Sequence, residues 1–153
     1  MQLTQHTDFG LRLLIVLARR GEAIALPAFA ADQGLSYNHV AKVAQELVRA
    51  GLAISHRGRN GGIELARPPA EISVGDVVRV LERGMQLADC ANCALRVDCV
   101  LSGVLAEALS AFLAVLDRYT LADVAREGAG VRSLWGGVPQ APGCAVSDRP
   151  EET

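Results

Sequence analysis

The sequence predicts a mainly α-helical fold with one small β-hairpin. Three observations support this prediction: two short helical segments are joined by Gly34-Leu35-Ser36, a hairpin with a glycine and arginine tip follows, and residues 100–118 form a long apolar run. Two short helices followed by such a hairpin are typical of a winged helix-turn-helix domain. The long run after it predicts a dimerisation helix.

Composition limits the possible functions. The 153 residues allow one domain, or one small domain with an extension. The formal net charge of -2 argues against nonspecific binding of polyanions by the whole molecule, but it leaves room for a local basic face. Lys42 is the only lysine, so arginine supplies nearly all of the positive charge, and arginine suits phosphate and guanine edges.

The chain is expected to be cytoplasmic and not associated with a membrane. Polar residues 4–8 stand where the apolar core of a secretory signal would lie. The most apolar run, 100–116, contains Ser102, Glu107 and Ser110 and is expected to fall short of a spanning length. In a reducing compartment, clustered cysteines indicate metal ligands or redox groups rather than structural disulfides.

The first half of the chain predicts three helices. Residues 8–20 carry an apolar stripe of Leu11, Leu14, Ile15 and Leu17, with Thr7 or Asp8 as the expected N-cap. Residues 27–33 form a short alanine-rich helix, and Gly34 ends it. The third helix, 37–50, is expected to begin after Ser36 as N-cap and to bury the stripe made of Val40, Val43, Ala44 and Leu47.

Two alternating strands, 52–56 and 63–66, flank a tip that reads Arg57-Gly58-Arg59-Asn60-Gly61-Gly62. Between residues 36 and 67 there are five Lys/Arg against two Glu, so this module is basic within an acidic chain. These features predict a DNA-binding wing, with an ordinary solvated hairpin as the alternative. The predicted DNA-binding residues are base readers and phosphate partners on the third helix and on the tip: Ser36, Tyr37, Asn38, His39, Lys42, Arg57, Arg59 and Asn60.

The second half predicts a helix over 74–83 that is capped by Ser73, a long helix over 100–118 and a further turn over 121–125. The long helix is apolar nearly all round, so the same helix of a second subunit is its expected cover. Four regions result: a winged helix-turn-helix domain over 1–84, a cysteine loop over 85–99, the dimerisation helix with a short following helix over 100–127, and a tail over 128–153 that is predicted to be disordered. Cys144, in that tail, is expected to be a spare thiol.

Cys90, Cys93 and Cys99 lie within ten residues and predict a metal centre. Their spacing does not decide between zinc and an iron-sulfur cluster, and a fourth ligand is missing locally. Asp89 and Asp98 are near in the sequence, whereas His6 and Asp8 are distant. The remaining alternatives are a thiol-redox switch, a zinc-stabilised DNA-binding module and the dithiol of an oxidoreductase. No catalytic constellation is readable, so we do not expect an enzyme.

Four segments carry a resemblance to a known family: 1–12 (MQLTQHTDFGLR), 57–65 (RGRNGGIEL), 74–82 (VGDVVRVLE) and 116–124 (LDRYTLADV). Together they resemble the bacterial iron-sulfur winged-helix transcriptional regulators, and are most similar to the nitric-oxide-sensitive repressors of that family. The position three residues after the last cysteine, which is histidine in the regulators that sense cluster supply, is Ser102 here.

The resemblance implies a homodimer that binds double-stranded operator DNA and responds to nitric oxide. It implies an iron-sulfur cluster, of the 4Fe-4S type in preference to 2Fe-2S, held by Cys90, Cys93 and Cys99 together with Asp8 from the other subunit. The sequence departs from the family in one respect: only two residues separate Cys90 from Cys93, which is a narrower gap than usual. A sensor of iron or of cluster supply is the alternative within the family.

Overall fold

A computed structural model describes residues 2–58, 61–95 and 97–126, and it confirms the mainly helical fold with a two-stranded hairpin. The predicted tail over 128–153, with Cys144, lies outside the described residues. In chain order the elements are α1 (Gln5–Arg20), α2 (Leu26–Asp32), α3 (Tyr37–Arg49), β1 (Ala53–His56), β2 (Gly62–Leu65), a short 3-10 turn (Pro69–Glu71), α4 (Val74–Leu81), α5 (Val100–Asp117) and α6 (Leu121–Val124).

Helix α1 lies at the centre of the fold and packs against α3, α4 and α6. It begins three residues before its predicted start because Thr4 is the N-cap and accepts a hydrogen bond from the Thr7 amide at 3.3 Å. The prediction that Thr7 or Asp8 caps the helix is therefore wrong.

The buried face of α1 also differs from the predicted stripe. Leu14 and Leu17 are buried as expected, but Leu11 and Ile15 are only half-buried, and Leu13 takes a place in the core. Compared with the predicted stripe, the buried face is rotated toward Gly10. If Gly10 carried a Cβ atom, that atom would lie 2.2 Å from Cδ1 of Leu81. The absence of a side chain at this position lets α4 approach α1 closely.

The helix-turn-helix follows its predicted pattern. Gly34 has a φ of +62°, a left-handed conformation that favours glycine, and it ends the α2 segment. Ser36 occupies the N-cap position of α3, although its side chain makes no capping hydrogen bond. The predicted inner stripe of α3 is confirmed, since all four of its members are buried: Val40, Val43, Ala44 and Leu47.

The wing is an antiparallel hairpin in which Ala53 pairs with Leu65 and His56 pairs with Gly62. A third segment that was not predicted joins the hairpin: Ile24 exchanges two backbone hydrogen bonds of 2.9 Å with Ile63 along the other edge of β2. A Cβ on Gly62 would lie 2.6 Å from the Ile24 carbonyl oxygen, so glycine is needed for this approach. The wing is thereby attached to the segment that links α1 to α2.

The chain leaves the winged region through α4 and returns to it after α5. As predicted, Ser73 caps α4 by accepting a hydrogen bond from the Asp76 amide at 2.9 Å. After α5, Leu121 is fully buried in the same core as α1, and its amide donates to the Ile72 carbonyl oxygen at 2.9 Å. Arg79 of α4 and Asp117 of α5 form a two-pronged ion pair with both N···O distances at 2.6 Å. Helix α5 is thus held to the winged region at its C-terminal end.

Helix α5 has no buried residue in this protomer. Val100 is 82% exposed and Leu101 is 59% exposed, which is unusual for large apolar side chains. Its 18 residues are long and apolar enough to cross a membrane, contrary to the expectation from the sequence, although length and composition alone are weak evidence for a span. Among the described residues, α5 therefore keeps a broad apolar surface exposed.

The junction between α4 and α5 should be sensitive to acid. Hydrogen bonds from Arg79, aided by its positive charge and opposed by some desolvation, hold the pKa of Asp117 below its ordinary value of 3.8. Because the folded-state pKa is the lower one, this pair contributes stability above the ordinary pKa and loses it as pH falls through the folded value.

We therefore expect Asp117→Asn to lower the free energy of unfolding at neutral pH, and its difference from the parent to shrink as the pH becomes acidic. Urea titrations at a fixed protein concentration across this range measure both quantities. Asp32→Asn, at the exposed C-terminal end of α2, is the matched control. A difference between Asp117→Asn and the parent that does not change with pH would contradict the expectation.

Candidate DNA-reading surface and cysteine centre

The predicted reading residues lie together at the start of α3. Ser36, Tyr37, Asn38 and His39 are all exposed, and Tyr37 reaches 50% exposure. Lys42, one turn further along, is also exposed. The buried stripe on the opposite side fixes the orientation of this face, because it anchors the helix in the core. A polar, exposed helix start is the part of a helix-turn-helix that meets base edges in the major groove.

A groove of about 450 Å³ runs between the start of α1 and α3. The rings of Phe9 and His39 face each other across it at a centroid distance of 6.5 Å. The groove thus joins the reading surface to the turn of α1 that carries Asp8. It is lined by Thr4, Gln5, His6, Phe9, His39, Lys42 and Val43.

The wing places Arg57 in an exposed position directly after β1. Beside the tip, His56 Nε2 and Glu64 Oε1 lie 2.7 Å apart across the hairpin, so the Glu64 carboxylate is held to His56. Arg59 and Asn60 lie outside the described residues. The part of the predicted wing surface that the structure describes is therefore Arg57 with its flanking strands.

The three clustered cysteines lie on the surface segment between α4 and α5. Cys90 and Cys99 are half-buried and Cys93 is exposed, and all three are free thiols. Cys99 is the N-cap residue of α5, and its carbonyl oxygen accepts a hydrogen bond from the Ser102 hydroxyl at 2.8 Å. A thiolate at this position gains from the positive end of the helix.

The donor set suits an iron-sulfur cluster or zinc, but the ligands are not gathered. Within the described residues, no three side chains of His, Cys, Asp or Glu lie close enough together to hold a metal ion. Soft thiolates on an open, irregular loop can wrap a metal as it binds, because metal sites commonly form together with their ligand geometry. Asp89 accepts hydrogen bonds from the amide and side chain of Asn92, which shapes the turn between Cys90 and Cys93.

Asp8 projects from the first half of α1 and is not brought to the cysteines of its own chain. Its carboxylate is paired with Arg12, at 3.0 Å from Nε and 2.8 Å from Nη2, and its side chain is 44% exposed. Because Thr4 provides the N-cap, Asp8 has no capping role. Its carboxylate is therefore available at the surface of α1, where a second copy of the chain could approach it.

Sequence reasoning missed a carboxylate that anchors the start of α1. Glu82, just after α4, accepts hydrogen bonds from the Thr4 amide at 3.0 Å, from the Thr4 hydroxyl at 2.9 Å and from the Thr7 hydroxyl. Burial acts to raise the pKa of Glu82, but the hydrogen bonds from Thr7 and Thr4 and the nearby His6 outweigh it and hold that pKa below its ordinary value. Residues 75 or more apart in the chain offer no sequence signal for such a contact.

A helix-turn-helix with an exposed reading helix and a paired β-wing defines a winged-helix DNA-binding protein. A model of the Rrf2 family, described as an iron-dependent transcriptional regulator, matches residues 3–127. The chain belongs to this family and is a transcriptional regulator rather than an enzyme.

Curated relatives agree with this assignment. The chain is 45% identical over 131 residues to the HTH-type transcriptional regulator NsrR of Halalkalibacterium halodurans, covering 81% of this chain and 90% of that protein. It is 43% identical over 141 residues to NsrR of Shouchella clausii, covering 88% and 95% respectively. Among solved structures, T. potens IscR matches with a TM-score of 0.67 and 31% identity over 81% of this chain and 85% of that chain. The prediction of a winged-helix regulator similar to NsrR is confirmed.

The exposure of the thiols gives a direct test of the loop. In cluster-free protein we expect a bulky disulfide reagent to modify Cys93 before Cys90 and Cys99, because only Cys93 is exposed. The reaction is run above the ordinary thiol pKa of about 8.5, so that access rather than ionisation decides the order. Peptide mapping by mass spectrometry at successive times reads the order, and earlier modification of Cys90 or Cys99 would contradict this loop conformation.

Proposed function

We propose that this protein is a dimeric transcriptional repressor whose affinity for operator DNA is controlled by an iron-sulfur cluster that reacts with nitric oxide. The observation that carries the proposal is the free trio of thiols on a surface loop directly before an uncovered apolar helix. A ligand centre at that place adjoins both the winged region and the expected dimer contact. The NsrR names of the curated relatives and the iron-dependent description of the family support the same function.

The homodimer is proposed because no residue of α5 is buried by the part of the chain that the structure describes. A second α5 offers the same apolar surface, and a two-fold interface needs a patch that is complementary to itself. Burying side chains such as Leu101 and Val104, which are more than half exposed in one protomer, stabilises such an association by about 25 cal/mol per Å² of apolar surface. A two-fold dimer would also place two reading helices on DNA half-sites about 34 Å apart.

In this proposal Cys90, Cys93 and Cys99 hold the cluster of one protomer, and Asp8 of the partner subunit completes it. When bound, the cluster supplies iron atoms that react with nitric oxide. The chain's own part is mechanical: Asp8 lies on α1, and α1 packs against the reading helix α3. A bond between the cluster and Asp8 would therefore hold α1 and α3 of one protomer, together called the reading head, in place. Loss of that bond would leave Asp8 paired with Arg12 of its own chain.

The energetic demand on this switch is considerable. To change an operator from nearly fully occupied to nearly empty, the DNA-binding free energies of the protein with and without the intact cluster must differ by about 5.5 kcal/mol. The dimer has two such sites, so each must supply about half of that difference. A bond between iron and a carboxylate is of the right order, whereas the exposed Asp8–Arg12 pair alone is not, because surface ion pairs contribute only about 0–1 kcal/mol.

On DNA, Asn38 and His39 would read base edges, and Lys42, Arg57 and Arg59 would bind phosphates or the minor groove. Ser36, Tyr37 and Asn60 would support them at the helix start and at the wing tip.

A DNA-binding regulator acts where the chromosome is, so we propose a cytoplasmic location. In that setting the apolar α5 is a dimer contact rather than a membrane span.

The test of this function is anaerobic purification followed by analysis for iron and acid-labile sulfide, with a visible spectrum recorded before and after a nitric oxide donor. We expect a coloured protein with comparable amounts of iron and sulfide. Nitric oxide should bleach its colour, and the concentrations that bleach it should also release it from DNA. Colourless protein with bound zinc would favour the zinc module, and iron-free protein that still binds its DNA and ignores nitric oxide would overturn the proposal.

Asp8→Ala should remove the effect of the cluster on the affinity for operator DNA. With the cluster loaded, we expect the variant to bind DNA as weakly as nitric-oxide-treated parent and to respond little to further nitric oxide, because α1 is no longer held. Anaerobic fluorescence anisotropy on the duplex that the loaded parent selects from a random pool measures both affinities. Asp32→Ala is the matched control, and release of Asp8→Ala by nitric oxide as in the parent would exclude this ligand role.

The two kinds of DNA contact should separate by mutation. Asn38→Ala should cost about 1–3 kcal/mol on the selected duplex and relax specificity at one base position, whereas Lys42→Ala should weaken all sequences alike and reduce the salt dependence by about one counterion. Titrations at several salt concentrations measure both effects. Arg20→Ala, at the end of α1, serves as the charge control, and an unchanged salt slope in Lys42→Ala would refute the phosphate contact.

A further inference from the structure

We propose that Glu46 is a positioning residue that ties the reading helix α3 to the stem of the cysteine loop within one protomer. The stem is defined as Glu82 and Arg83, which follow α4 and precede Gly84. Through this contact a change in the loop reaches the DNA-reading surface without passing through the partner subunit. The signalling part of the inference rests on the proposed function, whereas the contact itself does not.

Glu46 is the centre of a three-element contact. Its Oε1 lies 2.7 Å from Nη2 of Arg83, and its Oε2 lies 2.8 Å from Nε2 of His6. Each carboxylate oxygen thus has a partner on a different element, one on the stem and one on α1. The Glu46 side chain is only 18% exposed, whereas that of Arg83 is 77% exposed. The carboxylate is therefore fixed in place, and Arg83 is the arm that reaches to it from the loop.

The stem is joined to α1 as well. Glu82 accepts hydrogen bonds from the backbone amide and hydroxyl of Thr4 and from the Thr7 hydroxyl. Two adjacent stem residues therefore contact the two helices of the reading head: Glu82 bonds to the start of α1, and Arg83 bonds to Glu46 of α3. A displacement of the stem cannot leave both contacts unchanged.

The position of Glu46 on α3 explains how such a displacement would reach DNA. Val43 and Leu47, on either side, are fully buried, so this part of the helix moves as a packed body. Lys42 lies one turn before Glu46, and Asn38 lies two turns before it. A small rotation at Glu46 changes the angle at which those residues meet a groove, and a shift of about 1 Å at a helix contact is typical of such switches.

The link to the cysteines is short. Gly84 has a φ of +72° and begins the loop with a left-handed turn, and Cys90 follows Arg83 by seven residues. Ordering of the loop around a ligand therefore constrains the stem, and release of the loop frees it. Reversing the charge at Arg83 would leave the Glu46 carboxylate, which is 18% exposed, paired with His6 and facing a like charge, so we expect α3 to open locally more often while the fold persists.

The experiment uses full-length dimeric protein with Arg83→Glu, which sets like charges against each other at Glu46, and Arg83→Lys, which keeps the attraction. The first measurement is amide hydrogen exchange in the cluster-free protein. We expect exchange in α3 to rise about two- to thirtyfold in Arg83→Glu and to stay near the parent in Arg83→Lys. Arg20→Glu, an equal charge change at the far end of α1, should leave α3 unchanged.

The second measurement is the ratio of the dissociation constants without and with the cluster, on the duplex that the loaded parent selects. We expect Arg83→Glu to reduce this ratio about two- to thirtyfold and Arg83→Lys to retain most of it. Unchanged exchange in α3 of Arg83→Glu overturns the contact, and changed exchange with an unchanged ratio overturns its signalling role. If the parent protein binds the duplex equally well with and without the cluster, the proposed function is contradicted instead. The hydrogen exchange result then tests the contact between Glu46 and Arg83 independently.

Discussion

The structure depends on the close packing of α1 against the elements around it. Leu13, Leu14 and Leu17 are almost completely buried, and Gly10 leaves room for Leu81 of α4. Interiors packed at this density transmit displacement instead of absorbing it. Because α1 also carries Asp8 and packs against α3, a group bound at Asp8 would, in the proposed function, act on DNA through a rigid connection. The location of the candidate ligand on this helix is therefore more important than its contribution to stability.

Helix α5 is held to the winged region at its C-terminal end by an ion pair and by the buried residue that follows it. The ion pair between Arg79 and Asp117, and the return of the chain through Leu121, fix its C-terminal end. Its N-terminal end begins at Cys99, in the cysteine loop. One end of the proposed dimer contact is thus anchored to the reading head, and the other belongs to the element that would hold the cluster. In the proposed dimer, this arrangement would let a change in the loop alter the angle between α5 and the winged region.

Sequence periodicity predicted most of the secondary structure because each helix and strand has one face in the core. The α3 stripe and the Ser73 cap were predicted correctly, since both depend on residues within one or two turns. The start and buried face of α1 were not. Thr4 caps α1 with support from Glu82, which lies 78 residues away, and the rotation of its face follows from three helices packing around it. The pairing of Ile24 with Ile63 is equally distant in the chain.

The sequence by itself determined the winged helix-turn-helix class and the cysteine trio, because local patterns and spacings specify them, and it predicted an exposed polar start of α3. The tertiary structure alone decided that Glu82 supports the Thr4 cap of α1, and that Glu46 receives Arg83 and His6. Among the described residues, it also left large apolar side chains of α5, such as Val100 and Leu101, exposed. The physical reason is that ion pairs and caps depend on which surfaces the folded core brings together, and side-chain periodicity carries no record of partners that are distant in the chain.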